Sequence, residues 1–246
     1  KIGEKAKIAS TQLSQLDNKE KNKVLSDFLK CIKSNKSKIL KANKVDIEKS
    51  KKNKIKDNLI DRTMLNEDRI NSICTSIEEV ISFQDPTNKT LSSWKRPNGL
   101  IIQRVTMPIG VIAVIYEARP NVTADVSVLC FKSGNAAILR GGREAFHTNI
   151  VLSNLFRKCL EKNKINPDCV QLINSTNRIL VDYILSKMAN YVDVIIPRGG
   201  KSLVEKVLNL STVPTIGHLE GLCHIYLDKS FNFNLANKIL INSKLR

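Results

Sequence analysis

Three short stretches of the 246-residue chain carry residues whose types and spacing could do chemistry. Arg140-Gly141-Gly142 and Arg198-Gly199-Gly200-Lys201-Ser202 each close an apolar run and lead into a helical pattern. At a strand-to-helix turn, free backbone N–H groups and the helix dipole offer a site to an anion, and glycine removes the side chain that would keep a phosphate away. Two such turns in one sheet point to a nucleotide. Neither matches G-x-G-x-x-G or GxxxxGK[ST], so each taken alone is also compatible with plain turn chemistry. The third stretch, Tyr116-Glu117-Ala118-Arg119-Pro120-Asn121, ends another apolar run with an acid, a base and an amide. A loop at the carboxyl end of a buried strand is where a doubly wound fold keeps its reacting groups. The structural alternative is that Glu117 and Arg119 pair on the surface while Asn121 caps the following helix.

The remaining reactive side chains and the overall charge narrow the field. Cys31, Cys74, Cys130, Cys159, Cys169 and Cys223 are scattered, with no C-x-x-C pair and no histidine at ligand spacing, so no metal site is expected. Thiols inside apolar runs, as in Val128-Leu129-Cys130-Phe131, read as small core residues in a reducing compartment. Cys223-His224 invites a nucleophile-and-base reading, but neighbours on a strand face opposite ways, and Cys223 reads as a packed residue at a strand start. The net charge of +17 invites nucleic acid. Residues 1–60 hold 17 lysines against seven acids, diluted by Asn and Ser, and the 5% of aromatic residues do not interleave with basic positions as a stacking platform requires, so no nucleic-acid partner is expected. No run approaches the roughly 18 apolar residues of a membrane helix. Lys1 to Ser10 has no apolar stretch ahead of a cleavage site, and a cytoplasmic location is expected.

The elements that must position these residues follow from periodicity. Val24, Leu25, Phe28, Leu29 and Ile32 share one helical face; Asn66 caps a second helix with the stripe Ile70, Ile73, Cys74, Ile77, Val80 and Ile81, which ends by Asp85-Pro86. Pro97-Asn98-Gly99 between extended runs predicts a hairpin. After Pro108, apolar runs at Val111–Tyr116, Ala136–Leu139, Val170–Ile173, Val192–Ile196 and His224–Leu227 alternate with helical stretches near 122–132, 143–161, 177–189 and 200–209. Short apolar runs without alternation are strands buried on both faces. The fold class is α/β, a doubly wound Rossmann-like parallel sheet preceded by N-terminal helices and carrying a protruding β-hairpin.

A resemblance sharpens this reading. R-V-T-M-P-I-G-V-I-A-V-I-Y-E-A-R-P-N-V-T-A-D from Arg104, L-C-F-K-S-G-N-A-A-I-L-R-G-G ending at Gly142, V-D-V-I-I-P-R-G-G at Val192–Gly200 and H-L-E-G-L-C-H-I-Y-L-D at His218–Asp228 resemble the gamma-glutamyl phosphate reductase (glutamate-5-semialdehyde dehydrogenase) family of the aldehyde dehydrogenase superfamily. The likeness covers essentially the whole chain, least distinctively over the Lys-rich first 60 residues. It implies NADPH-dependent reduction of gamma-glutamyl phosphate to glutamate-5-semialdehyde and phosphate, the second step of proline biosynthesis, through a cysteine thioester. It places Asn121 as the amide that donates to the oxyanion, Arg140-Gly141-Gly142 at the adenosine side of the cofactor, and Arg198-Gly199-Gly200-Lys201-Ser202 at the pyrophosphate. A basic residue near the ribose would suit the 2′-phosphate of NADPH. Glu117 and Arg119 belong to the family signature, Arg119 as a candidate for the substrate's carboxylate or phosphate.

The resemblance puts the nucleophile in a Cys-Ala-Glu-Thr-like loop beyond the stretch resembling Ile241–Arg246. Residues 1–246 are therefore expected to hold the N-terminal helices and cofactor domain, interrupted by an oligomerisation hairpin at 90–106, without the catalytic cysteine. The glutamate base of the hydrolytic relatives would fall near Gly217, and Glu220 reads as a loop acid; releasing phosphate to leave an aldehyde needs no activated water. A homo-oligomer and a glutamate kinase supplying the substrate are implied as partners. Two alternatives stand beside this reading: the reductase part of a bifunctional pyrroline-carboxylate synthase, and a noncatalytic nucleotide-binding fragment.

Overall fold

Lys-rich segments that look featureless as sequence become helices because their few apolar residues fall on one side. The computed structural model describes residues 1–217 and 223–244. Helix α1 (Ile2–Leu13) buries the small residues Gly3, Ala6 and Ala9. Helix α2 (Asn18–Ser34) begins with a capping box in which Glu20 N–H donates to Asp17 Oδ1 at 2.7 Å and Asp17 N–H donates to Glu20 Oε2 at 3.0 Å. Its buried stripe is Lys21, Val24, Leu25, Phe28 and Ile32. Helices α3 (Lys36–Lys52) and α4 (Asp57–Thr63) follow, and α5 (Glu67–Ser82) is capped by Asn66 as its sequence predicts.

The hairpin is present as expected. Strand β1 (Thr90–Lys95) pairs antiparallel with β2 (Ile101–Val105), and Gly99 turns between them at φ +87°. Leu91, Trp94, Leu100 and Ile101 are exposed along it. At its base Lys21, whose side chain is 1% exposed, holds Asp85 at 2.9 Å and Thr87 Oγ1 at 3.2 Å.

The second half alternates strand and helix: β3 (Val111–Tyr116), α6 (Pro120–Lys132), β4 (Ala136–Arg140), α7 (Phe146–Lys162), β5 (Val170–Leu172), α8 (Ile179–Lys187), β6 (Val194–Arg198) and α9 (Lys201–Leu210). The strands form one parallel sheet in the order β5-β4-β3-β6. Every residue of β3 and β4 is buried. Ile112, Val114 and Tyr116 point into a core shared with α2, α5, α6 and α7, while Val111, Ala113 and Ile115 point into a second core built with α8 and α9. Period-2 alternation is therefore real but invisible in the sequence, since both faces need apolar side chains.

One expected strand is absent among the described residues. Residues 224–227 are irregular and exposed, with Tyr226 86% exposed, and a strand cannot form without a ladder partner. The outer side of β6 is met by Thr215, which bridges in parallel to Ile195. A last helix, α10 (Phe233–Lys244), buries only Ala236. Among the described residues no helix is long and apolar enough to cross a membrane.

Candidate functional site

Strand register brings the two glycine turns together. Arg140 ends β4 opposite Ile115, and Arg198 ends β6 opposite Tyr116, so the turns leave the sheet at the same level on either side of β3. A crevice of about 510 Å³ opens there, bordered by Glu117, Ala118, Arg140, Gly142, Ser202 and Leu203, with Ile55, Leu59 and Val181 as apolar walls. It lies beyond the carboxyl ends of the strands, between neighbours of β3 reached by crossovers on opposite faces, where open α/β sheets bind ligands.

The glycines serve the protein's own packing more than the sequence suggests. A Cβ on Gly142 would sit 3.1 Å from Ala118 N and 3.3 Å from the Glu117 carbonyl carbon. One on Gly199 would meet Glu117 Cδ at 2.7 Å and Leu203 Cδ2 at 2.8 Å. Both turns are thus kept bare so that the 117–118 loop can lie between them; only Gly200 faces open space, with Glu117 Oε2 3.8 Å away. At Gly142 and Gly199 the absent side chain thus serves the chain's own packing, the turn-chemistry alternative raised for these positions.

Glu117 has a different partner from the one the surface-pairing alternative supposes. Gly200 N–H, at the start of α9, donates to its Oε2 at 2.9 Å, and Glu117 N–H donates to Arg198 O at 3.2 Å. An internal carboxylate therefore satisfies the end of α9. Among the described residues Arg119 forms no ion pair with it, and its guanidinium is exposed. Lys201 and Ser202 begin α9, Ser202 on the crevice wall.

Arg140 is 7% exposed, and its guanidinium is committed inward. It donates to Gly141 O, to Thr176 O at 3.1 Å and to Asn177 O at 3.4 Å, which fastens the loop after β5 to the crevice. Its buried Nε has no partner among the described residues. Burial lowers its proton affinity and Arg178 adds to this, while Glu144 opposes. Among the described residues Arg178, exposed at the start of α8, has no ion pair at the rim; Arg143 and Lys206, also on the crevice, face Glu144 and Asp182. Nothing in the sequence singled out Arg178, because the loop before α8 carries no glycine signature.

Asn121 lies elsewhere than the crevice. It is the second residue of α6, behind Pro120, so it does not cap the helix; Arg119 occupies the cap position through its backbone. Asn121 Nδ2 donates to Asp125 Oδ2 at 3.1 Å, and burial raises the Asp125 pKa against that hydrogen bond. Both line a second depression of about 370 Å³ with Arg62, Arg69, Ser72 and Arg119. Glu117 and Arg119 stand between the two concavities, and Arg62, absent from the sequence reading, borders this second one.

Other titratable groups are removed from consideration by burial. Tyr116 is buried with its hydroxyl 2.6 Å from Thr123 Oγ1, and burial drives its pKa well above the usual phenol value. Burial pushes the thiols of Cys130, Cys159 and Cys169 up to about 12, so none is a thiolate near neutrality. Cys223 is exposed and outside any strand, contrary to the packed strand-start reading; its carbonyl accepts from Lys244 Nζ at 2.7 Å. His218 and Glu220 lie outside the described residues. Among the described residues no group of three or more His, Cys, Asp or Glu side chains is placed to hold a metal ion.

Comparison with known proteins gives the following likenesses. No family model matches the chain. A gamma-glutamyl phosphate reductase of Bartonella tribocorum is 42% identical over 245 residues, which are 100% of this chain and 60% of that protein. The crystal structure of gamma-glutamyl phosphate reductase from Thermotoga maritima has a TM-score of 0.92 at 36% identity, covering 99% of this chain and 58% of that one. An acetylating aldehyde dehydrogenase from Geobacillus thermoglucosidasius, 17% identical with a TM-score of 0.70 over 99% of this chain and 50% of its own, shares the fold. The chain spans about three-fifths of the length of the reductases it matches.

Proposed function

We propose that the chain, similar along its whole length to gamma-glutamyl phosphate reductases, forms the dinucleotide-binding part of an NADPH-dependent reductase that converts gamma-glutamyl phosphate to glutamate-5-semialdehyde and phosphate, a step of proline biosynthesis. The observation that carries the reading is the convergence of both Arg-Gly-Gly turns on one crevice at the carboxyl edge of the sheet.

The residues present fit an anionic dinucleotide. Apolar walls from Ile55, Leu59 and Val181 suit an adenine ring, and Arg140, with its unpartnered buried Nε, together with Arg178 supplies positive charge beside them. When bound, the nicotinamide supplies a hydride. Gly141 and Gly142 hold the wall next to the ribose, while Arg198, Gly199, Gly200, Lys201 and Ser202 present the start of α9 to the phosphates. Glu117 must turn away from Gly200 before a phosphate reaches that N–H. Arg119 binds the carboxylate or phosphate of the acyl substrate, and Asn121 donates to the oxyanion once its amide leaves Asp125. The thioester is assigned, as the resemblance implies, to the cysteine of a Cys-Ala-Glu-Thr-like loop.

The test is calorimetry of the chain with NADPH and with NADH. NADPH is expected to bind about tenfold more tightly, the effect of one charge-assisted contact to the 2′-phosphate. Equal affinities would remove the NADPH assignment. No binding of either at millimolar concentration would remove the dinucleotide reading.

A further inference from the structure

Between the crevice and the Asn121 depression lies a third concavity of about 320 Å³. Its border includes Arg62, Glu117, Arg119, Arg198, Gly199 and Gly200. The three arginines come from separate elements: the last turn of α4, the backbone cap of α6 and the last residue of β6. All three are exposed, and among the described residues none forms an ion pair or a side-chain hydrogen bond. Three arginines bordering one small concavity bring like charges together, at an electrostatic cost. Glu117 offsets one charge, and its carboxylate is already engaged with Gly200 N–H. Two positive charges remain uncompensated beside the start of α9.

Arg62 is not there by accident of a mobile loop. Asn43, 3% exposed on α3, donates through Nδ2 to Thr63 O at 2.8 Å and accepts at Oδ1 from Leu65 N–H at 2.7 Å. That buried amide fixes the exit of α4 and with it the residue just before. Arg119 is fixed by Pro120 behind it and buried Ala118 ahead, and Arg198 by its pairing opposite Tyr116.

We propose that Arg62, Arg119 and Arg198 form one anion site that takes a dianionic phosphoryl group. Guanidinium forks match phosphate oxygens in pairs, and two excess positive charges match the dianion. The inference deepens the reading above and rests on it only for the source of the phosphoryl group, which is either the acyl phosphate of the substrate or a phosphate of the dinucleotide.

The experiment titrates inorganic phosphate into the full 246-residue chain by calorimetry at low ionic strength. Saturable binding is expected, weakened about tenfold or more in Arg62→Ala and in Arg119→Ala and restored in part by Arg62→Lys, as for loss of a charge-assisted contact. Lys44→Ala, an exposed lysine on α3 that does not border the concavity, removes one charge and is expected to leave the affinity unchanged. Arg62 is exposed, so its variants should keep the wild-type melting temperature. Displacement of phosphate by a phosphonate analogue of gamma-glutamyl phosphate assigns the site to the substrate; displacement by NADPH assigns it to the cofactor. Absence of saturable phosphate binding, an equal loss in Lys44→Ala, or displacement by neither compound overturns the proposal. Phosphate binding that needs Arg62 in a chain that binds no NADPH would leave the anion site standing and end the dinucleotide reading instead.

Discussion

At the scale of single residues, Glu117 organises the site. Its side chain accepts from Gly200 N–H, excludes any Cβ from Gly199 and borders both the crevice and the arginine concavity. It stands where an incoming phosphate would use the end of α9, and two like charges about 4 Å apart in solvent cost on the order of 1 kcal/mol. Glu117→Gln keeps an oxygen to accept from Gly200 and removes the charge. Calorimetry should show NADPH binding tightened by roughly fivefold; weaker binding in the variant would mean that the carboxylate holds the cofactor. The sequence offered Glu117 either a reacting role or a surface pair with Arg119. Only the approach of β6 to β3 gave it a third partner, a backbone N–H 83 positions away.

At the scale of elements, the hairpin β1-β2 is the clearest case of an element without a core of its own. Leu91 is 58% exposed and Ile101 64% exposed, and an isolated two-stranded ribbon is marginal in water. We expect it to add its edge to a neighbouring subunit. Replacing Leu91 and Ile101 with serine should then lower the molecular mass measured by size-exclusion with light scattering. A wild-type chain that is already monomeric would refute this. Helix α7 shows the opposite situation, an element completed from far away. Its first turn is capped by Asp46 of α3, which accepts from His147 N–H at 3.0 Å and from Thr148 N–H at 2.8 Å. The sequence before α7 holds no Ser, Thr, Asp or Asn at the cap, so the start of this helix was legible only within a few residues.

At the scale of the whole molecule, acid stability follows from carboxylates that tie the layers. Lys162, the last residue of α7, and Asn163 just after it hold the Asp27 carboxyl below its ordinary pKa. Burial alone would raise Asp85, but Thr87 and Lys21 outweigh it and the net shift is downward. Groups depressed in the folded state contribute stability above the unfolded carboxylate value, near pH 4, and lose it as pH falls through the folded value. Asp85→Asn, which leaves the buried Lys21 unpaired, should cost roughly 3 kcal/mol at pH 7 in urea unfolding. The gap to wild type should narrow below about pH 4, where the native carboxylate is lost as well; parallel curves down to pH 2 would refute the account. The sequence by itself determined the strand–helix alternation, the hairpin, the capped helices and the two Arg-Gly-Gly turns, because apolar spacing, caps and turn residues act over a few positions. Tertiary structure alone decided that both turns flank β3, that Arg140 spends its charge on backbone carbonyls, that residues 224–227 find no ladder among the described residues, and that Arg62 borders one concavity with Arg119 and Arg198. Those outcomes depend on contacts between residues far apart in the chain, and no local pattern records such distances.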